Sequence, residues 1–177
     1  RLYNGAILLG LDKPVIKSHG STDEIGFANS LKVCEKIIKG NLIDKKARAS
    51  LKRINLDYGH GTGHGVGFFL NVHEGPQAIS KFNSVELKEG MIVSNEPGYY
   101  EEGKFGIRIE NLVYVEKIKN KLYFKNLTMA PIDKDLINEK LLSPNEKDYL
   151  LRYNLDIYKN ISKYLTKPER KWLLQSI

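Results

Sequence analysis

The first 45 residues combine two short apolar runs with a helical repeat of apolar positions. The runs GAILLGL and KPVIK predict strands or buried connections. After them, Ser21 and Glu24 have the spacing of a capping box, and Gly40 lies where a helix usually stops. We therefore expect a helix that ends near residue 40. Five residues form its apolar stripe: Ile25, Ala28, Leu31, Cys34 and Ile38.

Residues 47–132 show a different pattern, in which apolar runs are short and turn residues are frequent. A brief helical segment, ARASLKRI, comes first. Four apolar or alternating runs follow, separated by Gly, Asn, Pro and Lys: GVGFFLNV, MIVSNE, GIRIENLVYVEKI and KLYFKNLTM. This pattern predicts an antiparallel sheet, with a hairpin turn inside EKIKNKL.

The last 45 residues predict two helices. Ser143 and Glu146 form a capping box, with Pro144 at the first helical position. A helical stripe of apolar residues continues from there to Leu165, and a shorter helix carrying Trp172 starts near Thr166. The chain as a whole is therefore expected to be α+β.

Composition and charge exclude few classes of function but make some improbable. Of 177 residues, 41% are hydrophobic and 28% are charged, and the net charge is +7. The lysines are scattered rather than clustered, so a nucleic-acid partner is not expected. No apolar run is long enough for a membrane span, and no signal-peptide pattern is visible. The single cysteine, Cys34, excludes an internal disulfide and fits the cytoplasm.

The segment DYGHGTGHGVGFFLNVHEGP contains three of the four histidines in the chain. His60 and His64 are separated by four residues, which is the spacing of two metal ligands on a helix. The glycines between and beside them disfavour a helix and predict looped or extended backbone that approaches another group closely. His73 follows at the end of the apolar run.

Two glutamates stand in apolar surroundings further along the chain. Glu96 lies in SNEPGYY, and Glu110 interrupts the strand pattern GIRIENL. Such acids are costly unless they are paired or bound to a cation, and histidine with carboxylate suits Mn²⁺, Zn²⁺, Co²⁺ or Fe²⁺. Each residue alone has an ordinary alternative, since histidines are commonly hydrogen-bonded in cores and strand glutamates are commonly exposed or salt-bridged.

Three motifs in order, HGTGHGVGFFLNVHEGP, GMIVSNEPGYY and GIRIENLVYV, resemble the Xaa-Pro aminopeptidases, which are creatinase-like metallopeptidases. The resemblance covers residues 47–177 and implies the C-terminal catalytic half of a pita-bread sheet with flanking helices. It also assigns roles to individual residues. The implied metal ligands are His64, Glu96 and Glu110, of which Glu110 would bridge two ions. The implied catalytic residues are His60, His73 and Arg108, with Tyr99 as a further residue near the carboxylates.

The resemblance implies hydrolysis of an N-terminal residue preceding proline, by metal-activated water, in peptides with proline at the second position. The expected cofactor is a divalent metal, Mn²⁺ in the first place and Zn²⁺ or Co²⁺ as alternatives. The family places two further aspartate ligands on strands before the histidine motif, and we find no aspartates in that context here. We therefore expect at most one tightly bound ion and impaired activity.

Residues 3–44 resemble a different enzyme, the C-terminal tail of bacterial phosphate acyltransferase, and VIKSHGS is the most specific piece. His19 in that motif is a candidate functional residue. The two resemblances predict a truncated, chimeric chain with domains at 1–46 and 47–177. The alternatives are a phosphate acyltransferase remnant and a non-enzymatic remnant, and self-association or a missing N-terminal half would complete the exposed sheet.

Overall fold

The computed structural model describes residues 5–8, 15–18 and 23–177, without the side chains of residues 5–8, 15–18, 33, 34 and 36–41. His19, Ser21 and the Cys34 side chain lie outside this description. The chain divides into two compact units, residues 1–126 and residues 127–177. Among the described residues, no helix is both long and apolar enough to cross a membrane.

The predicted strands near the start of the chain are present. β1 (Gly5–Leu8) and β2 (Val15–Ser18) pair with each other in antiparallel register.

A single helix, α1 (Glu24–Lys52), replaces the two helical segments predicted for this region. Its N-terminal cap is Asp23, whose carboxylate accepts a hydrogen bond from the amide of Gly26 at 2.7 Å. The prediction that the helix ends at Gly40 was wrong. One interior glycine costs only about 1 kcal/mol, and the residues after it, NLIDKKARASLK, are mostly good helix formers. The boundary predicted near residue 46 falls inside this helix, and a junction of two domains there stays a prediction.

The predicted apolar stripe of α1 is not a buried face at its described N-terminal positions. Ile25 and Leu31 are 68% and 55% exposed. The helix is anchored instead by its C-terminal half, where Asp44 and Arg48 are buried and Ile43 packs on the core.

Short antiparallel strands form the rest of the first unit. The strands are β3 (Gly63–His64), β4 (Ala78–Ile79), β5 (Ile92–Asn95), β6 (Gly98–Glu101), β7 (Phe105–Arg108), β8 (Asn111–Ile118) and β9 (Lys121–Asn126). One sheet has the order β5-β8-β9, and there are two further strand pairs, β3-β4 and β6-β7. Val93, Val113 and Ile79 on these strands form a buried apolar cluster.

The run GVGFFLNV is not the strand that its composition predicts. After β3 the chain makes a tight turn, in which the amide of Gly67 donates to the carbonyl of Asn71 at 2.8 Å. Phe68 and Phe69 on this turn are each 91% exposed. Because the run is continuously apolar rather than alternating, its pattern could not show that only its first residues pair with a neighbour.

The β8–β9 hairpin agrees with the prediction. Lys119 and Asn120 both adopt positive φ, 45° and 65°. Two such residues in succession are typical of the turn that matches the twist of paired strands.

The second unit contains two capped helices, as predicted. In α2 (Pro144–Ile161) the cap is Ser143 with Glu146, and in α3 (Lys167–Ser176) it is Thr166 with Glu169. Their buried residues are Tyr153, Ile157 and Leu173, whereas Trp172 is 62% exposed. Short 3₁₀ turns complete this unit at Lys134–Leu136, Glu139–Leu141 and Ser162–Tyr164.

Candidate metal centre

Strand pairing brings the two glutamates together. Asn95 pairs with Asn111 between β5 and β8, and Gly98 pairs with Arg108 between β6 and β7. Both pairings have the same register. Extending that register across the residues between the two strand pairs places Glu96 opposite Glu110. Glu110 therefore lies in the short connection between β7 and β8, not inside a strand. Like charges at opposite positions repel, so this arrangement needs a cation to offset it.

His64 on β3 turns a ring nitrogen toward the first of these carboxylates. Its Nδ1 lies 3.0 Å from the carbonyl oxygen of Gly65. A carbonyl can only accept, so Nδ1 carries the proton and Nε2 keeps its lone pair when the ring is neutral. Nε2 lies 3.4 Å from Oε1 of Glu96.

One donor atom from each of His64, Glu96 and Glu110 lies within 4.8 Å of the other two. In the described part of the chain, this is the one group of three or more potential ligand side chains. Among the described residues, Arg108 is the basic side chain that pairs with both carboxylates. The donor set therefore fits a divalent cation of borderline character.

Arg108 contacts both carboxylates from one side. Its Nη1 lies 3.1 Å from Glu96 Oε2 and 3.8 Å from Glu110 Oε2, while its Nε donates to the hydroxyl of Tyr100 at 2.8 Å. The hydrogen bond to Tyr100, helped by both carboxylates, raises the pKa of Arg108 above its ordinary value. A permanently charged guanidinium can thus orient the two acids without competing for a proton.

Tyr100 joins His60 to this network, and the sequence reasoning missed it. Nε2 of His60 lies 2.8 Å from the Tyr100 hydroxyl, and Nδ1 lies 2.7 Å from the carbonyl of Gly61. The carbonyl again requires a proton on Nδ1, so neutral His60 accepts from Tyr100 through Nε2. Tyr99, the tyrosine named from the sequence, faces Phe105 with ring centroids 6.0 Å apart.

His73 lies against the ligand histidine. The His64 and His73 rings are 4.0 Å apart at an interplanar angle of 31°. The structure therefore connects all six residues named from the sequence, with His73 reached through His64 and His60 reached through Tyr100 and Arg108.

Ser94 is a second residue that the sequence reasoning missed. Its hydroxyl donates to Glu96 Oε1 at 2.9 Å and accepts from the His64 amide at 2.9 Å. It is fully buried. A serine in an apolar strand gave no signal of this role, because the partner on β3 lies 30 residues earlier in the chain.

Gly63 makes the close approach of β3 and β5 possible. A Cβ at this position would overlap the carbonyl group of Ser94. The glycine-rich segment predicts such a close approach, at a position where only a residue without a Cβ fits.

Comparison with known families gives two matches that cover most of the chain. The profile described as metallopeptidase family M24 matches residues 26–117, and the C-terminal region of peptidase M24 matches residues 120–177.

Curated relatives that match this chain are also named as aminopeptidases. A probable Xaa-Pro aminopeptidase P of Coprinopsis cinerea is 44% identical over 172 residues, covering 90% of this chain and 26% of the relative. Aminopeptidase P2 of Arabidopsis thaliana is 47% identical over 145 residues, covering 76% of this chain and 20% of the relative. The chain thus spans about a quarter of the length of the curated relatives it matches.

A solved structure confirms the fold class expected from the sequence. The X-prolyl aminopeptidase of Caenorhabditis elegans, described as a cytosolic enzyme with a di-nuclear active site, superposes with a TM-score of 0.70. It is 31% identical, and the match covers 92% of this chain and 30% of that one. The fold is α+β and corresponds to the C-terminal part of the pita-bread fold.

The resemblance of residues 3–44 to phosphate acyltransferase is not supported by these comparisons. The M24 match begins at residue 26, within that stretch, and α1 runs on through it. The metal-donor cluster, both profile matches and the superposition agree, and the chain belongs to metallopeptidase family M24.

Proposed function

We propose that this chain carries the metal- and substrate-binding residues of an Xaa-Pro aminopeptidase-like hydrolase. The observation that supports it most directly is the convergence of His64, Glu96 and Glu110 within 4.8 Å. The substrates would be peptides with proline at the second position, as the names of the relatives suggest.

In this proposal, His64, Glu96 and Glu110 hold a divalent cation, for which Mn²⁺ is our first choice. When bound, such a cation lowers the pKa of water and polarises a peptide carbonyl. Arg108 keeps the two carboxylates aimed at the ion. The surrounding hydrogen bonds hold His64 in the tautomer that leaves Nε2 free.

His60 and His73 act on the substrate. His60 is held in one tautomer between the Gly61 carbonyl and Tyr100, so its ring is oriented before a peptide arrives. His73 lies beside the ligand histidine and offers a second hydrogen-bonding group near the carbonyl to be cleaved.

The described residues supply three donors in one group, which is enough for one ion with water completing its coordination. We therefore propose that this chain by itself binds one ion tightly at most and hydrolyses Xaa-Pro bonds at no more than the background rate. The cytoplasm is the compartment proposed, in line with the cytosolic relative and the single cysteine.

The test is calorimetric titration of the metal-free chain with Mn²⁺. We expect a stoichiometry near one and an affinity in the micromolar range or weaker. His64→Ala should abolish binding because it removes the nitrogen donor. His73→Ala is the matched control, since it removes a neighbouring imidazole that is not a ligand, and it should bind Mn²⁺ like the unaltered chain.

Peptide recognition is tested separately by NMR. An Xaa-Pro peptide should shift the His60 and His73 imidazole signals, whereas an Xaa-Ala peptide of the same length should not. Equal shifts with both peptides would contradict the proposed substrate class. Two tightly bound ions, or Xaa-Pro turnover that Glu110→Ala removes, would contradict the proposed impairment.

A further inference from the structure

A cluster of buried polar residues joins helix α1 to the start of the histidine segment and includes none of the metal donors. Asp44, Arg48 and Thr62 are 1%, 7% and 0% exposed, and Tyr58 is 4% exposed. Buried charges are costly unless they are paired and hydrogen-bonded, so this cluster needs an explanation beyond packing.

Arg48 at the C-terminal end of α1 makes four hydrogen bonds in different directions. Nε donates to Asp44 at 2.9 Å, and Nη1 donates to the Asp57 carboxylate at 2.8 Å. Two further bonds, each 2.7 Å long, go to the backbone carbonyls of Tyr58 and His60. Burial tends to lower the pKa of Arg48, but the bonds with Asp44 and Asp57 outweigh it and raise that pKa.

The second carboxylate oxygen of Asp44 binds a further residue of the segment, Thr62. It accepts from the Thr62 hydroxyl at 2.6 Å, and that hydroxyl also lies 2.6 Å from the hydroxyl of Tyr58. The Tyr58 ring in turn lies 3.9 Å from the Arg48 guanidinium carbon. Apart from the Arg48–Asp44 bond within α1, every bond in this cluster joins that helix to residues 57–62 or joins two residues of that segment.

Two of the residues held in this way also contact the network around the metal donors. Arg48 donates to the His60 carbonyl, and the His60 ring accepts from Tyr100. Asp44 accepts from the Thr62 hydroxyl, and the Thr62 carbonyl accepts from the amide of Glu96 at 2.8 Å. The backbone at residues 60–62 thus determines both where the His60 ring points and where Glu96 lies after β5.

We propose that Arg48, oriented by Asp44, is a positioning residue that holds residues 57–62 in the conformation required by His60 and Glu96. This rests on the proposed function only in treating those two residues as parts of the site. The guanidinium is planar and presents its donors in fixed directions, whereas a lysine ammonium at the same place is one compact group. Arg48→Lys therefore keeps the charge but cannot reach two carbonyls and two carboxylates together.

The test compares Arg48→Lys with Arg152→Lys in the full 177-residue chain. Arg152 pairs with Asp148 through the same i,i+4 contact, at 3.0 Å, but its side chain is 76% exposed. The first readout is the imidazole ¹⁵N spectrum of the metal-free chain at mildly alkaline pH. The second is Mn²⁺ affinity by calorimetry.

We expect the unaltered chain and Arg152→Lys to show His60 protonated at Nδ1 alone. Arg48→Lys should show a mixture of the two tautomers and bind Mn²⁺ about tenfold more weakly. If Arg48→Lys only lowers the melting temperature and leaves both readouts at the control values, Arg48 stabilises the fold without positioning the site and the proposal is overturned. If even the unaltered chain binds no Mn²⁺, the proposed function fails, and the His60 tautomers still decide this proposal.

A second pair of variants covers the case in which Arg48→Lys does not fold. Thr62→Ser keeps the hydroxyl that Asp44 binds, whereas Thr62→Val keeps the shape and removes it. Thr62→Ser should retain the His60 tautomer and Thr62→Val should lose it, and equal behaviour of the two would overturn the proposal. In the unaltered chain, the Arg48 Nη protons should give separate, slowly exchanging signals, and freely averaged signals would likewise contradict it.

Discussion

Replacing Gly63 by alanine should weaken metal binding through the backbone, without touching a ligand. Gly63 precedes His64 on β3 and lies against the backbone of Ser94 on β5. A Cβ at residue 63 would lie 2.7 Å from the Ser94 carbonyl carbon and would overlap its oxygen, whereas ordinary contacts begin at 3.4 Å. The obstructing atoms are backbone, so no side-chain rotation can relieve the overlap.

The geometry sets the size of the effect. The two strands must separate by at least about 0.7 Å at this point, measured on the carbon contact alone. Metal–ligand distances tolerate only about 0.2 Å, so a displacement of this size takes His64 out of range of an ion held by Glu96. Overpacking of this kind costs about 1–3 kcal/mol in stability. We expect Mn²⁺ affinity to fall at least about tenfold, which is about 1.4 kcal/mol.

The assay is Mn²⁺ calorimetry together with thermal unfolding, with Gly59→Ala as the matched control. A Cβ at Gly59 would meet nothing within 4 Å, and its φ is not in the left-handed region. Gly59→Ala should therefore bind and melt like the unaltered chain. If Gly63→Ala folds and binds Mn²⁺ with unchanged affinity, β3 and β5 do not hold the ligands in the way described.

Three further outcomes are expected. Burial tends to raise the pKa of Asp57, but hydrogen bonds from Lys52 and Arg48 bring it from 3.8 to about 2. Because the folded pKa is the lower one, this carboxylate stabilises the fold above about pH 4, and the contribution is lost as pH falls toward 2. Solvent screening at this partly exposed group leaves ~1 kcal/mol, and urea unfolding should show that loss in the unaltered chain but not in Asp57→Asn. Ser94→Ala removes the hydroxyl between the β3 backbone and a ligand carboxylate, and it should weaken Mn²⁺ binding about tenfold in calorimetry; an unchanged affinity would show that this hydroxyl does not orient the ligand. The exposed rings of Phe68 and Phe69 should cause self-association, measured by sedimentation velocity. The double variant Phe68→Ser, Phe69→Ser should associate less, and a purely monomeric unaltered chain would contradict this prediction.

Features coded by a few neighbouring residues were predicted well from the sequence. The capping box at Ser143 and Glu146 and the turn at Lys119 and Asn120 depend on contacts within four residues, and both are present. The helix end at Gly40 was predicted by the same kind of local rule and was wrong. One glycine inside a helix costs only about 1 kcal/mol. That cost is offset when contacts hold the later turns of the helix in place, as those of Asp44 and Arg48 do here.

The phenylalanine run after His64 shows the limit of composition. An apolar run predicts a strand, yet Phe68 and Phe69 lie in a turn, where they are almost fully exposed. A backbone hydrogen bond between Gly67 and Asn71 closes that turn, and periodicity carries no information about it.

The sequence by itself determined which chemical groups are available to the site. Histidines in a glycine-rich segment and glutamates within or beside apolar runs indicate a metal centre, because carboxylates are costly in such surroundings without a cation. Only the tertiary structure decided which groups meet and in what state. Strand register sets Glu96 opposite Glu110, and the Tyr100 hydroxyl donates to Nε2 of His60. These relations join residues far apart in the chain, so they depend on how strands and helix pack, which no local pattern of residues encodes.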